Sequence, residues 1–327
     1  GAISLLGTMI ARGVESSRAG SGARIAAIRL QRMTLAMLRG FCTVPLWSPT
    51  SISMPLVLTT LPGLLWIDIL PYGAGIAGFM LALGWLTDRL SHPRPARPPA
   101  AQEGTSLAPL GRLMGVVVLI PALGMVVAEL LDLRLITAIL ITIPAIALVW
   151  QTLQQRGAGE PQPVRAAALT LGRRTLPKLP ESRSEVVIFA ASGAVGIILL
   201  PLIDVAALGG MIQRLGMTEG MLLALGLLTV PMFSFLGVNP IVTVMLLMGV
   251  LPHLPGFDFV PVQLAMMALS GWVLAVGVSP LATSVRITAR SIGEEATTIG
   301  LVWNRRYALT ATLLLVLAFW LTAGRWG

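Results

Sequence analysis

An all-α, polytopic transmembrane helix bundle is the fold this sequence predicts, and three observations predict it. Residues of the AVILMFWYC set fill 55% of the 327 positions and only 11% are charged, against about 25% charged in an average soluble domain. The mean hydropathy is +0.85. The apolar residues fall in blocks long enough for the roughly 20 helical residues that cross a hydrocarbon core of about 30 Å, without the strict alternation of a barrel strand.

In chain order, residues 1–87 read as the end of a first transmembrane repeat. The opening stretch GAISLLGTMIA is apolar but too short to span, and with Gly1 in place of an initiator Met an N-terminal truncation is expected. An awkward apolar block over 36–61 contains PLWSPTSIS, and a span follows over 66–87. Residues 88–111, with SHPRPARPPAAQEGTS, form a Pro-rich linker whose composition predicts disorder. Residues 112–154 hold two spans, 112–131 and 135–153. A basic linker occupies 155–185, where VRAAALTLGRR reads either as a short amphipathic helix on the inner leaflet or as a solvated connector. A second repeat fills 186–327, with spans over 186–206, 260–281 and 304–323 and a second awkward block over 221–251.

Arg89, Arg94, Arg97 and Arg112 flank the first linker, while Arg156, Arg165, Arg173, Arg174, Lys178 and Arg183 populate the second. Two spans separate these basic segments, so the positive-inside rule puts both in the cytoplasm. The same rule accounts for the net charge of +9, and no basic face with interleaved aromatics points to nucleic acid. Lys178 is the only lysine, a bias toward arginine that points to a GC-rich bacterial genome and hence to a bacterial inner membrane. The block over 221–251 is too long for one straight span and too short for two with a turn. A re-entrant hairpin fits it, with its tip at Phe235 to Pro240 (FLGVNP), where glycine and proline break the helix.

Gly237-Val238-Asn239-Pro240 and Gly277-Val278-Ser279-Pro280 share one four-residue pattern. In addition, LAMLRGFCTVPLWSPTSIS (35–53) aligns without gaps to MMALSGWVLAVGVSPLATS (266–284) at an offset of 231, pairing Gly40 with Gly271, Ser48 with Ser279, Pro49 with Pro280 and Ser53 with Ser284. Spans ending in an aromatic and a basic residue follow both copies, Trp85 to Arg89 and Trp320 to Arg325. This reads as an internal, inverted repeat with broken helices. Irregular backbone is tolerated at membrane depth only where protein or a water-filled cavity surrounds it, and half-helix ends suit anions and cations. Asn239, Ser279, Thr283, Ser284, Ser48, Thr50 and Ser51 are therefore the candidate substrate- or ion-binding residues. A kink repaired by hydroxyls is the competing structural reading.

An apolar hairpin with a small polar tip, followed by a helix broken at a Ser/Thr-rich stretch, resembles the ion transporter superfamily. That group includes divalent anion/sodium symporters and arsenite permease-like antiporters. The resemblance covers roughly 30–61 and 221–300 and implies that these elements build a substrate and cation site between two halves. The family's Ser-Asn-Thr signature is replaced here by Gly-Val-Asn-Pro, Val-Ser-Pro and Trp-Ser-Pro, so dicarboxylate specificity is not implied.

Charged residues within membrane reach are functional candidates by cost. Asp68 follows the first break by some twenty residues and is the candidate coupling residue, while Asp204, Glu129 and Asp132 lie at span ends. Arg286 and Arg290 share a helical face that could attract an anion or anchor the chain. No Walker-type loop, HExxH or Ser/His/Asp arrangement is present, and His92 and His253 lie outside the apolar blocks. The single cysteine, Cys42, leaves no disulfide framework. The sequence thus predicts a secondary active transporter, not an enzyme, that moves a small anionic solute on a Na⁺ or H⁺ gradient by alternating access. No resident cofactor or metal centre is predicted, Na⁺ entering only as a coupling ion. The expected partners are the bilayer, the solute and a second copy in a homodimer; the alternatives are a non-transporting scaffold or assembly component and a channel.

Overall fold

The computed structural model describes residues 6–14, 23–92, 108–133, 135–175, 177, 180 and 183–326. Every regular element among them is helical. The Pro-rich linker lies, over 93–107, outside the described residues. Two compact units are formed, one by Gly1–Arg94 with Ala191–Gly327 and one by Pro95–Ala190.

The first unit opens with α1 over 6–14, α2 (Ala23–Cys42), α3 (Val44–Trp47), α4 (Ser53–Thr60) and α5 (Trp66–Ser91). The second contains α6 (Ala108–Leu131), α7 (Leu135–Gly157) and α8 (Pro163–Thr170), the last running into a π turn over Leu171–Thr175. α9 (Arg183–Leu199) crosses the boundary in the chain. The first unit then resumes with α10 (Val205–Arg214), α11 (Glu219–Phe235), α12 (Pro240–Val250), α13 (Pro261–Val278), α14 (Thr283–Ile292), a π turn over Thr298–Trp303 and α15 (Arg305–Leu321).

In the second unit α6 packs along α7. Their close approach uses Gly124, where a Cβ would lie 2.6 Å from Ile139 Cγ1. α8 starts at Pro163, whose fixed φ suits the first helical turn, and continues into the VRAAALTLGRR segment.

Three helical stretches among the described residues are long and apolar enough to cross a membrane: Trp66–Ser91, Thr137–Gly157 and Pro261–Ile292, the last containing the break between α13 and α14. Gly115–Leu131, Glu219–Phe235 and Pro240–His253 are shorter apolar helices. The block expected as one span over 186–206 is instead bent by 72° between Ala190–Leu202 and Val205–Arg214. Pro201 lies in a single 3₁₀ turn, and Asp204 caps α10 by accepting the Ala207 N–H at 2.9 Å. A carboxylate that caps a helix start also ends what precedes it.

α13 is the axis of the first unit. All residues from Gln263 to Ala275 are buried, and α2, α3, α4, α5, α11, α12, α14 and α15 pack against it. A helix apolar on all sides belongs at the centre of a bundle. Among lipid tails, dispersion and close packing hold helices together better than water exclusion does, so small residues mark the closest approaches. A Cβ on Gly271 of α13 would lie 2.9 Å from the Leu227 carbonyl oxygen of α11, and one on Gly73 of α5 would overlap the Leu46 carbonyl oxygen of α3. Gly40 of α2, by contrast, has no atom within 4 Å of such a Cβ.

This contrast makes a stability prediction. Gly73→Ala drives a methyl into backbone and should destabilise by about 1–3 kcal/mol. Gly40→Ala, with open space around it, should be neutral or stabilising by up to about 1 kcal/mol through helix propensity. The thermal unfolding temperature of the detergent-solubilised protein should fall for Gly73→Ala and hold or rise for Gly40→Ala, and equal shifts would contradict the packing described.

Candidate functional site: two matched helix breaks and a buried arginine

The first break lies between α3 and α4. Pro49 has no N–H and disfavours helix at the residue before it, so α3 ends at Ser48 with φ −86° and ψ 124°. Ser48 N–H donates to Val44 O at 2.9 Å and Ser51 N–H donates to Ser48 O at 3.2 Å. The Thr50 N–H reaches Ser48 Oγ at 3.3 Å, and the Ser48 and Thr50 hydroxyls pair at 2.8 Å. Ser51 Oγ donates to Ser48 O at 2.9 Å. The freed backbone groups are thus taken up locally.

The second break repeats this arrangement. α13 ends at Ser279 with φ −65° and ψ 124°. Ser279 N–H donates to Ala275 O at 3.1 Å, and Ala282 N–H donates to Ser279 O at 3.0 Å. Leu281 N–H reaches Ser279 Oγ at 3.3 Å. Every donor and acceptor in these three bonds lies 231 positions beyond its counterpart at the first break, in the register the sequence gives. The hydroxyls differ in what they do next: buried Ser279 donates to the Ser234 carbonyl of α11 at 2.9 Å, whereas Ser48 pairs with Thr50. Ser284 Oγ donates to Val276 O across the break and also meets the Cys42 thiol.

Packing follows the same register. α4 packs on α13 while α14 packs on α2, and α2 packs on α5 as α13 does on α15. α4 also lies against α12, and in the corresponding place Gly7 of α1 sits against Ser291 and Ile292 of α14. At the hairpin between α11 and α12, Gly237 takes φ +88°, the left-handed region that glycine enters without strain. Asn239 caps α12, its Oδ1 accepting the Ile241 N–H at 2.9 Å.

Near the second break lies a group the sequence reading passed over. Arg39 of α2 is buried, 7% exposed, and a buried guanidinium is costly unless its donors are satisfied. Its Nε donates to Asn304 Oδ1 at 2.9 Å, Nη1 donates to the Gly84 carbonyl of α5 at 2.8 Å, and the guanidinium lies 4.4 Å from the Tyr307 ring centroid. Asn304, 1% exposed, turns its amide to the Gly277 carbonyl at 3.0 Å, two residues before Ser279. One arginine and one asparagine thus connect α2, α5, the end of α13 and the start of α15. The signal available in the sequence was a lone Arg inside the apolar run MTLAMLRGFCTVPLW.

The seven predicted binding residues all lie at the three breaks of the first unit, with Thr283 and Ser284 in the first turn of α14 rather than in irregular backbone. Neither the polar cavity of about 220 Å³ beside Arg39 nor the apolar groove of about 450 Å³ along α11 and α15 includes any of the seven. Asn239, Ser279, Ser284, Ser48 and Ser51 direct their oxygens to nearby backbone. Thr283, Arg286 and Arg290 of α14 are exposed. Asp68 is exposed as well, and its carboxylate accepts the Leu65 N–H at 2.9 Å, capping α5.

No family model matches the chain, and no curated protein or solved structure matches it significantly. The fold by itself defines the class: among the described residues every regular element is helical, and three stretches are long and apolar enough to cross a membrane.

The geometry ranks the polar side chains. Asn304→Ala removes an acceptor from a buried guanidinium and a donor from Gly277, and should cost about 2–3 kcal/mol, since bonds to charged groups are the stronger class. Asn239→Ala removes a helix cap and should cost about 1 kcal/mol. Denaturant unfolding in detergent should show this order; a loss at Asn304 no larger than that at Asn239 would contradict it.

Proposed function

We propose that the chain is a bacterial inner-membrane secondary transporter of the broken-helix type, moving a small anionic solute by alternating access on a Na⁺ or H⁺ gradient. The observation that carries this reading is the recurrence of one helix break, in three matched hydrogen bonds, at an offset of 231 residues in elements that pack into one unit. Two related halves with irregular backbone facing each other are the arrangement in which transporters place substrates and ions. The paired contacts of α4 with α13 and of α14 with α2 support reading the halves as an inverted repeat.

A second reading, a non-transporting membrane scaffold, is favoured by one observation. The hydroxyl and amide oxygens at the turns are engaged with nearby backbone, as packing kinks would have them. The two readings differ in what substitution removes.

The test is gradient-dependent uptake of labelled organic and inorganic anions into proteoliposomes, comparing the wild type with the Asn239→Ala/Ser279→Ala double variant. A transporter should show saturable flux that falls at least tenfold in the variant while expression and folding persist. Wild-type vesicles without saturable flux, or an unsaturable conductance, would reject the reading in favour of a scaffold or a channel.

A further inference from the structure

We propose that the polar cavity beside Arg39 is a binding site for a small oxyanion, carboxylate or inorganic. The cavity, about 220 Å³, is lined by Arg39, Arg305, Arg306, His92, Asp88 and Trp303 among others. It falls below the roughly 300–1,000 Å³ usual for drug-sized ligands, which limits the occupant to a few heavy atoms. Three guanidiniums face it against one carboxylate. That carboxylate is already committed: Asp88 is bridged by Arg32, Nε to Oδ2 at 2.9 Å and Nη2 to Oδ2 at 2.8 Å. His92 Nδ1 also lies 3.4 Å from Asp88 Oδ1.

The buried member of the set points to a ligand most directly. Arg39 is more than nine-tenths buried and lines this cavity, and its hydrogen-bond acceptors, Asn304 Oδ1 and the Gly84 carbonyl, are neutral. Asp88 contributes only at longer range, through its field. A planar guanidinium in such a place matches a two-oxygen anion in bidentate fashion, and charge-assisted bonds of that kind are the strong ones. Arg305 and Arg306 are exposed at the start of α15 and would close over the anion from the other side. The Ser91 hydroxyl, 3.4 Å from Arg306 Nη1, steers that side chain toward the cavity.

The site also touches the helix break. The Arg39–Asn304–Gly277 chain of hydrogen bonds leads from the cavity to the last turn of α13. An anion that draws the guanidinium toward itself competes with Asn304 for Nε and loosens the amide that holds Gly277 O. Identifying this anion with the transported solute rests on the transport reading; its binding does not.

The experiment measures equilibrium binding of sulfate and of succinate to the full chain in detergent, without a gradient and at constant ionic strength set with chloride. Trp303, which lines the cavity, supplies the fluorescence signal, and thermal unfolding supplies a second readout. Saturable responses to either anion, weakened about tenfold in Arg305→Gln/Arg306→Gln and in Arg39→Lys, are expected. Absence of a saturable response to both anions, or a response unchanged in the exposed Arg305→Gln/Arg306→Gln variant, would overturn the proposal; that variant alters no buried contact, so misfolding does not obscure the result. Binding without flux would leave this site standing while removing the transport reading, and flux without binding would do the reverse.

Discussion

A helix cannot be broken inside an apolar bundle unless the backbone groups it releases find new partners, and this requirement shapes the first unit. Each unsatisfied N–H or C=O in such surroundings costs several kcal/mol. At Ser48 and at Ser279 the requirement is met in the same way: the last helical amide keeps its bond four residues back, the next turn closes onto the serine carbonyl, and the serine hydroxyl takes an amide two residues on. Proline supplies the stop and serine supplies the repair. Because both parts are local, eight residues, 44–51 and 275–282, suffice to specify the device, and the chain can use it twice.

The tertiary structure is built on these repaired ends. Once α13 stops at Val278, its last carbonyls are available to groups from elsewhere, and Asn304 takes the one at Gly277 while Ser284 takes the one at Val276. Asn304 in turn fixes Arg39, and Arg39 fixes Gly84 of α5. A cation buried this way is weak evidence for stability in itself, since its desolvation offsets much of what its bonds contribute. What it does supply is geometry. A planar fork with three separate partners allows few relative placements of α2, α5 and α15, so it specifies the arrangement of the bundle more than it strengthens it.

Much of this was legible in the sequence, and the parts that were not share a cause. Spans 66–87, 112–131 and 135–153 emerge as α5, α6 and α7 because long apolar runs with few breakers have one helical solution. The breaks at Ser48, Asn239 and Ser279 were legible because proline acts within its own turn. The bend at Pro201 was missed because a proline five residues from the end of an apolar run reads as the end of the span, and Asp204 as a charge at its boundary; only the cap to Ala207 shows that a second helix starts there. The roles of the hydroxyls were not legible at all. A serine oxygen beside a proline has the same sequence signature whether it faces a cavity or the backbone two residues away. Arg39 was passed over because its burial depends on α5 and α15, which are distant in the chain.

The local satisfaction of the turn oxygens bears on how such a molecule could work. A coordination site of free oxygens would be preorganised for an ion but would cost stability whenever empty. Here the same oxygens are occupied by backbone amides and carbonyls, those of the turns and, for Ser279, that of Ser234 in α11, so an incoming ligand must exchange with bonds worth about 1 kcal/mol each. Such an exchange is small enough for a solute or ion to drive and large enough to keep the empty breaks closed. The guanidinium of Arg39 is the exception, since none of its hydrogen-bond acceptors carries charge. An anion gains more there than at any of the turns, and the hydrogen bonds through Asn304 carry that gain to the end of α13. In the proposed site, rearrangement at the break would thus be driven from the arginine.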